Sequence, residues 1–182
     1  MVTFTDFAAM HKKLNINTSD LGCVMLDFES LGDSIIPEEW LYNSPNPEHF
    51  WLTGWRGFTP HVTLKYGLLQ QAEAWKDYIL ELLADWEPED AEPMGTIAFP
   101  SPYPDEPYVC LAAGLFLSPN LEDAHRRLSY LPHIDTFSPY LPHVTIANVR
   151  PEWVEECRAL IDNQIVGQKF RPTFINLGSD KS

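Results

Sequence analysis

The chain carries one short motif twice, as FTPHVTLKYG over residues 58–67 and as YLPHVTIANV over residues 140–149. Both copies read Pro-His-Val-Thr, and their histidines, His61 and His143, are 82 residues apart (143 − 61). Side chains alternate along a β-strand, so the histidine and threonine of each copy share one face and the valine points to the other. Because proline cannot donate to a sheet, each histidine is predicted to begin its strand.

The segments around the two motifs repeat in the same order. The first motif follows a β-rich apolar run, LGCVMLDF at 21–28, and precedes residues 72–86, where apolar side chains recur at three- and four-residue steps typical of an amphipathic helix. The second follows the strand-like YVCLAAGLFL at 108–117 and a helix predicted to begin at Ser118-Pro119. Further predicted elements are a short helix after Pro37, a strand at 95–100, a helix from Pro151 to about Gly167, and a closing strand at 173–178.

Each half is therefore predicted as strand, helix, His-x-Thr strand, helix and strand. Two copies of one unit facing each other is the simplest architecture for such a repeat. We predict a bilobal, internally duplicated α+β fold with two mainly antiparallel sheets, helices packed outside, and one His-x-Thr strand per lobe around a central cleft. The chain is predicted to be a single domain over residues 1–182, with approximate lobes at 21–100 and 107–178.

The charge of the chain limits its partners. The formal net charge is −14, whereas a protein that neutralises many phosphates of long DNA or RNA normally carries a basic face. Long nucleic acid and anionic membrane surfaces are therefore not expected as partners. A small anionic ligand stays possible, because a few local donors outweigh carboxylates beyond a Debye length of about 8 Å.

Cysteine usage and targeting signals predict the compartment. Cys23, Cys110 and Cys157 lie far apart in apolar stretches without a Cys-x-x-Cys pair, which favours buried thiols in a reducing compartment. The N-terminus shows no signal pattern, and no apolar run is long enough to span a bilayer. We expect a cytoplasmic protein.

Paired histidines and threonines suit phosphodiester cleavage. If the two motif strands lie side by side, His61 and His143 form a matched pair of proton-transfer groups, since an unperturbed histidine pKa near 6.5 leaves both forms accessible at neutral pH. Thr63 and Thr145 hydroxyls donate to the non-bridging phosphate oxygens. No metal or other cofactor is required. Two alternatives stay open: a metal site completed by some of the 26 acidic residues, and two ordinary strands whose histidines are only hydrogen-bonded.

At these residues the chain resembles the two-histidine phosphoesterase superfamily, which is defined by two His-x-Thr/Ser-x motifs, one per lobe of an internally duplicated α+β fold. The resemblance spans nearly the whole chain, although only the motifs are highly specific. It implies that His61 and His143 are general acid and base in an order the sequence does not give, and that Thr63 and Thr145 bind phosphate oxygens. The nucleophile in the family is a ribose 2′-hydroxyl for oligonucleotides and water for cyclic phosphates.

Three stretches look most like phage-encoded members of this family, among which is an anti-CBASS enzyme that degrades cyclic oligonucleotide signals. They are GCVMLDF at 22–28, PHVTLKYGLL at 60–69 and LPHIDTFSPYLPHVTIANV at 131–149. With the acidity of the chain, this resemblance favours a cyclic dinucleotide or oligonucleotide immune signal as the substrate. The alternatives are a 2′,3′-cyclic phosphodiesterase that processes RNA ends, and a binding protein that sequesters a nucleotide without turning it over.

Candidate substrate-binding residues flank the first motif. Lys65 is expected to share the face of His61, and Arg56 lies just upstream, so either cation is placed to neutralise a phosphate. The alternative for both is a solvated surface position, which is the favoured interpretation for Arg56. Trp55, Tyr66 and Tyr103 are candidates for stacking on bases, with core packing as the alternative for each. Strict alternation along the strand places Tyr66 on the apolar face.

Two other histidines are given lesser roles. His133 follows Leu-Pro as His143 does, but Asp135 stands where the threonine would be. We therefore expect His133 to order its loop, and we place His125 on a helix surface.

Overall fold

The structure is a computed structural model that describes residues 21–46, 54–57, 59–135 and 138–178. Within these residues, six strands form one sheet in which every neighbouring pair is antiparallel. The strands are β1 (Gly22–Phe28), β2 (His61–Leu68), β3 (Pro93–Pro100), β4 (Val109–Leu115), β5 (His143–Val149) and β6 (Pro172–Asn176). Their order across the sheet is β3-β4-β5-β2-β1-β6. The predicted α+β class with antiparallel pairing is thereby confirmed.

The prediction of two sheets is wrong for the described residues. The two His-x-Thr strands lie at the centre of the single sheet and pair with each other, with Val62 opposite Val144. This pairing joins what would have been two three-stranded sheets into one. The strand order reads alike from both sides of the central pair: β1 and then β6 lie beyond β2, and β4 and then β3 lie beyond β5.

The last strand of each predicted lobe lies in the other half of the sheet. β3 belongs in sequence to the first lobe, yet it pairs with β4 of the second over seven residue pairs, from Pro93↔Leu115 to Pro100↔Val109. Conversely, β6 follows the second His-x-Thr strand in sequence and pairs with β1. The two halves of the sheet therefore exchange strands, and each edge is supplied by the opposite half of the chain.

The described part of the chain contains three α-helices, and their apolar sides pack against one face of the sheet. They are α1 (Lys76–Leu82), α2 (Pro119–Leu128) and α3 (Val154–Ile165), and 3-10 turns lie at Glu38–Trp40, Ala72–Trp75 and Pro151–Trp153. Buried residues of all three helices form one core cluster with alternate strand residues, including Val62 and Val144. The opposite face of the sheet, which carries the motif histidines, is therefore the open one.

The helix signals in the sequence correspond to the observed ends. The Ser118 hydroxyl accepts a bond from the Leu121 amide at 3.2 Å, with Pro119 in the first turn, as predicted for an N-cap. The helix predicted over 72–86 is shorter, because a 3-10 turn precedes α1 and the apolar period continues into the turn that follows it. None of these helices combines the length and apolar character needed to cross a bilayer.

Both His-x-Thr strands contain an extra residue immediately after the threonine. On β2, Thr63 faces Met25 and Lys65 faces the adjacent Val24, so Leu64 is the inserted residue of a β-bulge. On β5, Thr145 faces Ala112 and Ala147 faces the adjacent Leu111, so Ile146 is inserted in the same way. Each bulge reverses the alternation of side chains, so residues beyond it point to the face opposite the one that strict period two predicts.

Candidate active site

The two motifs meet at the centre of the sheet. With Val62 opposite Val144, an antiparallel register puts His61 beside Thr145 and Thr63 beside His143. Both valines are fully buried in the core, so these four side chains point to the face away from the helices. Diagonal neighbours in such a pair have Cβ atoms roughly 7–8 Å apart, which leaves room for a phosphate between the two imidazoles.

The two imidazole rings are oriented by the same type of hydrogen bond. The Nδ1 atom of His61 lies 3.3 Å from the Thr59 carbonyl oxygen, and the Nδ1 atom of His143 lies 2.9 Å from the Leu141 carbonyl oxygen. A carbonyl only accepts, so Nδ1 carries the proton in both rings. The nitrogen left for chemistry is Nε2 in each case, and it accepts a proton when neutral and donates one when the ring is charged.

Burial changes the ionisation of His143. Its pKa is lowered below 6.5, chiefly by burial and also by the nearby His61, while the bond to the Leu141 carbonyl opposes the shift. The Phe99 ring from β3 lies against it, with 5.0 Å between ring centroids. At neutral pH the ring of His143 is therefore neutral, with an unprotonated Nε2.

A thiol lies beside each threonine. The Sγ atom of Cys23 on β1 is 4.0 Å from the Thr63 hydroxyl, and Cys110 on β4 is in hydrogen-bond contact with Thr145. Burial raises the pKa of Cys110, so its thiol stays neutral and is a weak partner for the hydroxyl. Cys23 and Cys157 are buried as predicted, whereas Cys110 is partly exposed.

The bulge on β2 removes Lys65 from this face. Lys65 lies opposite Val24 on the helix side, where it is 3% exposed. Its ammonium group donates to the Ser129 hydroxyl at 3.0 Å and to Asp135 at 3.3 Å. The expectation that Lys65 shares a face with His61 is therefore wrong, because strict alternation does not account for the inserted Leu64.

The same bulge brings Tyr66 to the open face, although strict alternation assigned it to the apolar side. Tyr66 lies opposite Cys23, the residue that contacts Thr63. On β5 the corresponding position beyond the bulge is Asn148, which lies opposite Cys110 and is buried. Tyr66 therefore keeps a position from which it can contact a ligand.

The other candidates lie in loops beside the second motif. Trp55 bridges to Ala147, packs against the core and donates from Nε1 to the Gly32 carbonyl at 3.1 Å, so it lies on the helix side of the sheet. Arg56 is close enough to Cys110 to influence the ionisation of its thiol. Tyr103 is 42% exposed in the loop between β3 and β4.

His133 and His125 both contact the β2 region. The Nε2 atom of His133 lies 3.0 Å from the Asp135 carboxylate and its Nδ1 atom lies 2.7 Å from the Leu131 carbonyl, contacts that hold its loop. His125 differs from its predicted surface location, since its Nδ1 donates to the Leu64 carbonyl at 2.7 Å and its ring stacks on Tyr140. The bulge at Leu64 exposes this carbonyl, and a helical period does not predict such a partner.

Sequence reasoning missed three residues of the open face. Asp27 on β1 lies opposite His61, and Phe174 on β6 lies opposite Asp27 with 60% of its surface exposed. Phe99 contacts His143 from β3. A carboxylate inside the otherwise apolar run at 21–28 was the available signal for Asp27.

The described residues bear on the alternative of a metal site. Among them, no group of three or more histidine, cysteine, aspartate or glutamate side chains is arranged to hold a metal ion. That the reaction needs no metal stays a prediction, which activity in EDTA would test.

Comparison with known proteins identifies the fold. The chain is similar to the solved structure of Kluyveromyces marxianus Usb1, with a TM-score of 0.51 and 12% sequence identity, over 91% of this chain and 96% of that one. A second structure, of the same protein with uridine monophosphate, gives a TM-score of 0.47 and 13% identity over 83% and 86% of the two chains. No protein-family model matches the sequence. No curated protein matches it significantly. At this identity the chain shares the fold of Usb1.

Proposed function

We propose that this protein is a metal-independent phosphodiesterase of the two-histidine type that cleaves a small nucleotide phosphodiester. The observation that carries the proposal is the central pairing of Val62 with Val144, which sets two imidazoles and two hydroxyls around one space. The fold shared with Usb1 supports a phosphoric diester hydrolase in general. The symmetric strand order and the paired bulges support an origin by internal duplication.

The proposed reaction is an in-line displacement at phosphorus. One histidine Nε2 takes the proton from the attacking hydroxyl, a ribose 2′-hydroxyl or water, as the new O–P bond forms. The other histidine gives its Nε2 proton to the leaving oxygen as the old P–O bond breaks. Thr63 and Thr145 donate to the non-bridging oxygens, where the negative charge of the transition state collects. The weak thiol partners of both hydroxyls leave their protons available for this role.

A small substrate suits the charge of the chain and the open face. With a net charge of −14, binding of long nucleic acid or of an anionic membrane is disfavoured. Phe99, Phe174 and Tyr66 lie on the same face as the histidines and offer stacking surfaces for bases on either side of the phosphate. We therefore favour a cyclic di- or oligonucleotide immune signal, as the resemblance to phage-encoded anti-CBASS members implies, with the enzyme acting in the host cytoplasm.

RNA-end processing is the second candidate, because the fold shared with Usb1 supports it. A third is sequestration of a nucleotide without turnover. The intact pair of motifs argues against sequestration, since a protein that only binds has no use for matched proton-transfer groups.

The test is a screen in EDTA of cyclic dinucleotides, cyclic trinucleotides, 2′,3′-cyclic monophosphates and short RNAs, followed by mass spectrometry. We expect at least one cyclic oligonucleotide to be cleaved, and His61→Ala or His143→Ala to lower the rate about 10²–10⁴-fold. Conversion of RNA ends alone would favour the second candidate, and intact ligand recovered from a stable complex would favour sequestration. Activity that disappears in EDTA and returns with zinc or manganese would contradict the proposal.

A further inference from the structure

The two histidines have different neighbours on their outer sides. Asp27 of β1 is directly opposite His61, whereas Gly114 of β4 is directly opposite His143. In an antiparallel sheet, directly opposite residues point to the same face. A carboxylate is therefore built in beside one imidazole of the pair, while the equivalent position beside the other has no side chain.

The pairing geometry brings Asp27 and His61 close together. The amide of Phe28 donates to the Pro60 carbonyl at 2.9 Å, so the next pair along, Asp27 and His61, is a non-hydrogen-bonded pair. Cβ atoms in such pairs are about 4.5–5.5 Å apart. The carboxylate is therefore within electrostatic range of the imidazole without a direct bond to it.

Asp27 itself is held in place on one side only. Its Oδ2 atom accepts a bond from the Asn176 side-chain amide at 3.1 Å. Its Oδ1 atom is buried, and within the described residues it has no hydrogen-bond partner. A buried carboxylate oxygen without a donor is costly unless a nearby positive charge compensates it, and the directly opposite His61 is a side chain that can carry one.

The other ionisable groups around the pair do not cancel this difference. β6, which lies beyond Asp27, has no ionisable residue, and Lys65 of β2 points to the helix side. On the other side of the site, β3 contributes no ionisable residue, and Cys110 of β4 stays a neutral thiol. Arg56, which lies close enough to Cys110 to influence its ionisation, is a cation and does not supply a second carboxylate.

We propose, resting on the proposed function, that Asp27 is a positioning residue that assigns the roles of the two histidines: His61 is the general acid and His143 is the general base. Asp27 stabilises the imidazolium form of His61, which gives its Nε2 proton to the leaving oxygen as the P–O bond breaks. His143, next to Gly114 and Phe99 and without a carboxylate, takes the proton of the attacking hydroxyl on Nε2 as the new O–P bond forms. The lowered pKa of His143 agrees with a base that is neutral before the reaction.

The test uses two substrates with one nucleophile and different leaving groups. Uridylyl-3′,5′-uridine releases a ribose 5′-alkoxide, which needs a proton, whereas uridine 3′-(4-nitrophenyl phosphate) releases 4-nitrophenolate, which does not. We expect His61→Ala to lower cleavage of the dinucleotide about 10²–10⁴-fold and of the nitrophenyl ester less than about 10-fold. His143→Ala should lower cleavage of both esters by the larger factor. If the nitrophenyl ester restored near-wild-type cleavage to His143→Ala and not to His61→Ala, the two roles would be reversed and the proposal overturned.

Asp27→Asn separates positioning from a structural role. We expect it to slow cleavage of the dinucleotide several-fold and to move the alkaline limb of its pH–rate profile to lower pH, with the acid limb unchanged. Cleavage of the nitrophenyl ester should fall by a smaller factor than cleavage of the dinucleotide, and the urea midpoint serves to check that the variant is folded. Equal loss on both esters, or an unmoved alkaline limb, would show that Asp27 only supports the fold.

A transfer of the carboxylate provides the matched control. A Cβ built at Gly114 meets nothing closer than the Ile97 side chain at 3.4 Å, an ordinary contact. Each histidine substitution is then made in the double variant Asp27→Asn/Gly114→Asp. In this background, cleavage of the nitrophenyl ester should tolerate His143→Ala instead of His61→Ala. Continued rescue of His61→Ala in that background would contradict the role of the carboxylate. A wild-type protein that cleaves neither these esters nor any phosphodiester of the EDTA screen would instead contradict the proposed function itself.

Discussion

The two His-x-Thr strands have the same bulge, but different groups bind the backbone that it exposes. At the β2 bulge the Leu64 carbonyl accepts from the His125 ring, and the Thr63 carbonyl accepts from the Tyr140 hydroxyl at 2.9 Å. At the β5 bulge the Ile146 carbonyl accepts from the backbone amide of Arg56 at 2.6 Å. Side chains thus hold the first strand, and a neighbouring stretch of main chain holds the second.

This difference means that the two strands depend on sequence in different ways. Every residue type except proline supplies a backbone donor, so the hydrogen bond to the β5 bulge tolerates most substitutions. The bonds at β2 require a particular phenol, imidazole and ammonium group, and the imidazole gains a proton as the pH falls. The first half of the active site should therefore be the more sensitive to mutation and to acid.

The strongest test of this comparison is at Arg56. Arg56→Pro removes the amide that binds the Ile146 carbonyl, and we expect a loss of about 2–3 kcal/mol in the free energy of unfolding. Arg56→Ala keeps the amide and should change the free energy of unfolding by less than about 0.5 kcal/mol. Urea denaturation of both variants measures the difference. Similar losses in both would mean that the side chain, not the main chain, holds β5.

Lys65 provides the next largest effect. Lys65→Ala reproduces the residue at the matching position of β5, Ala147, and removes two bonds and a buried stem, for an expected loss of about 1–2 kcal/mol in the free energy of unfolding. Lys76→Ala, which breaks an exposed pair with Glu73, is the control and should cost less than about 0.5 kcal/mol. Equal unfolding midpoints for the two variants would contradict a structural role for Lys65.

Removal of a single hydroxyl tests the hydrogen bond that fixes Thr63. Tyr140→Phe deletes the donor to the Thr63 carbonyl, and we expect a loss of about 1 kcal/mol in the free energy of unfolding, with a several-fold lower kcat because Thr63 loses its fixed position. Tyr130→Phe is the control, since Tyr130 is 72% exposed. Thermal unfolding and steady-state kinetics measure both quantities. An unchanged kcat in Tyr140→Phe would mean that the carbonyl bond does not position Thr63.

The smallest effect is the pH dependence of stability. Burial and the nearby Lys65 lower the pKa of His125 below 6.5, while the Leu64 carbonyl and Asp135 raise it, with a net lowering. The neutral form is therefore favoured in the folded state, and its contribution to stability is present above pH 6.5 and is lost as the pH falls through the lowered pKa. In His125→Gln, which keeps a donor for Leu64, this loss should be reduced. Urea midpoints from pH 7.5 to 5 that fall in parallel for both proteins would exclude His125 as a cause.

The sequence predicted the strands, the helices and the residues of the two motifs, because these follow from local period and from capping residues. It did not predict the single sheet, since the pairing of Val62 with Val144 joins residues 82 positions apart (144 − 62). It did not predict the bulges either, because one inserted residue is visible only against the partner strand. The positions of Lys65 and Tyr66 were both misassigned for this reason. Asp27 was missed because its role depends on which residue lies opposite.

The exchange of edge strands has a consequence for dividing the molecule. A cut in the exposed stretch 103–105 would release a first fragment whose β3 has lost β4, and a second whose β6 has lost β1. Neither piece could complete its own hydrogen-bond ladder, and each would present a bare edge matched only by the other. The two fragments should therefore complement each other. When they are mixed, both His-x-Thr strands should return to the active site together or not at all.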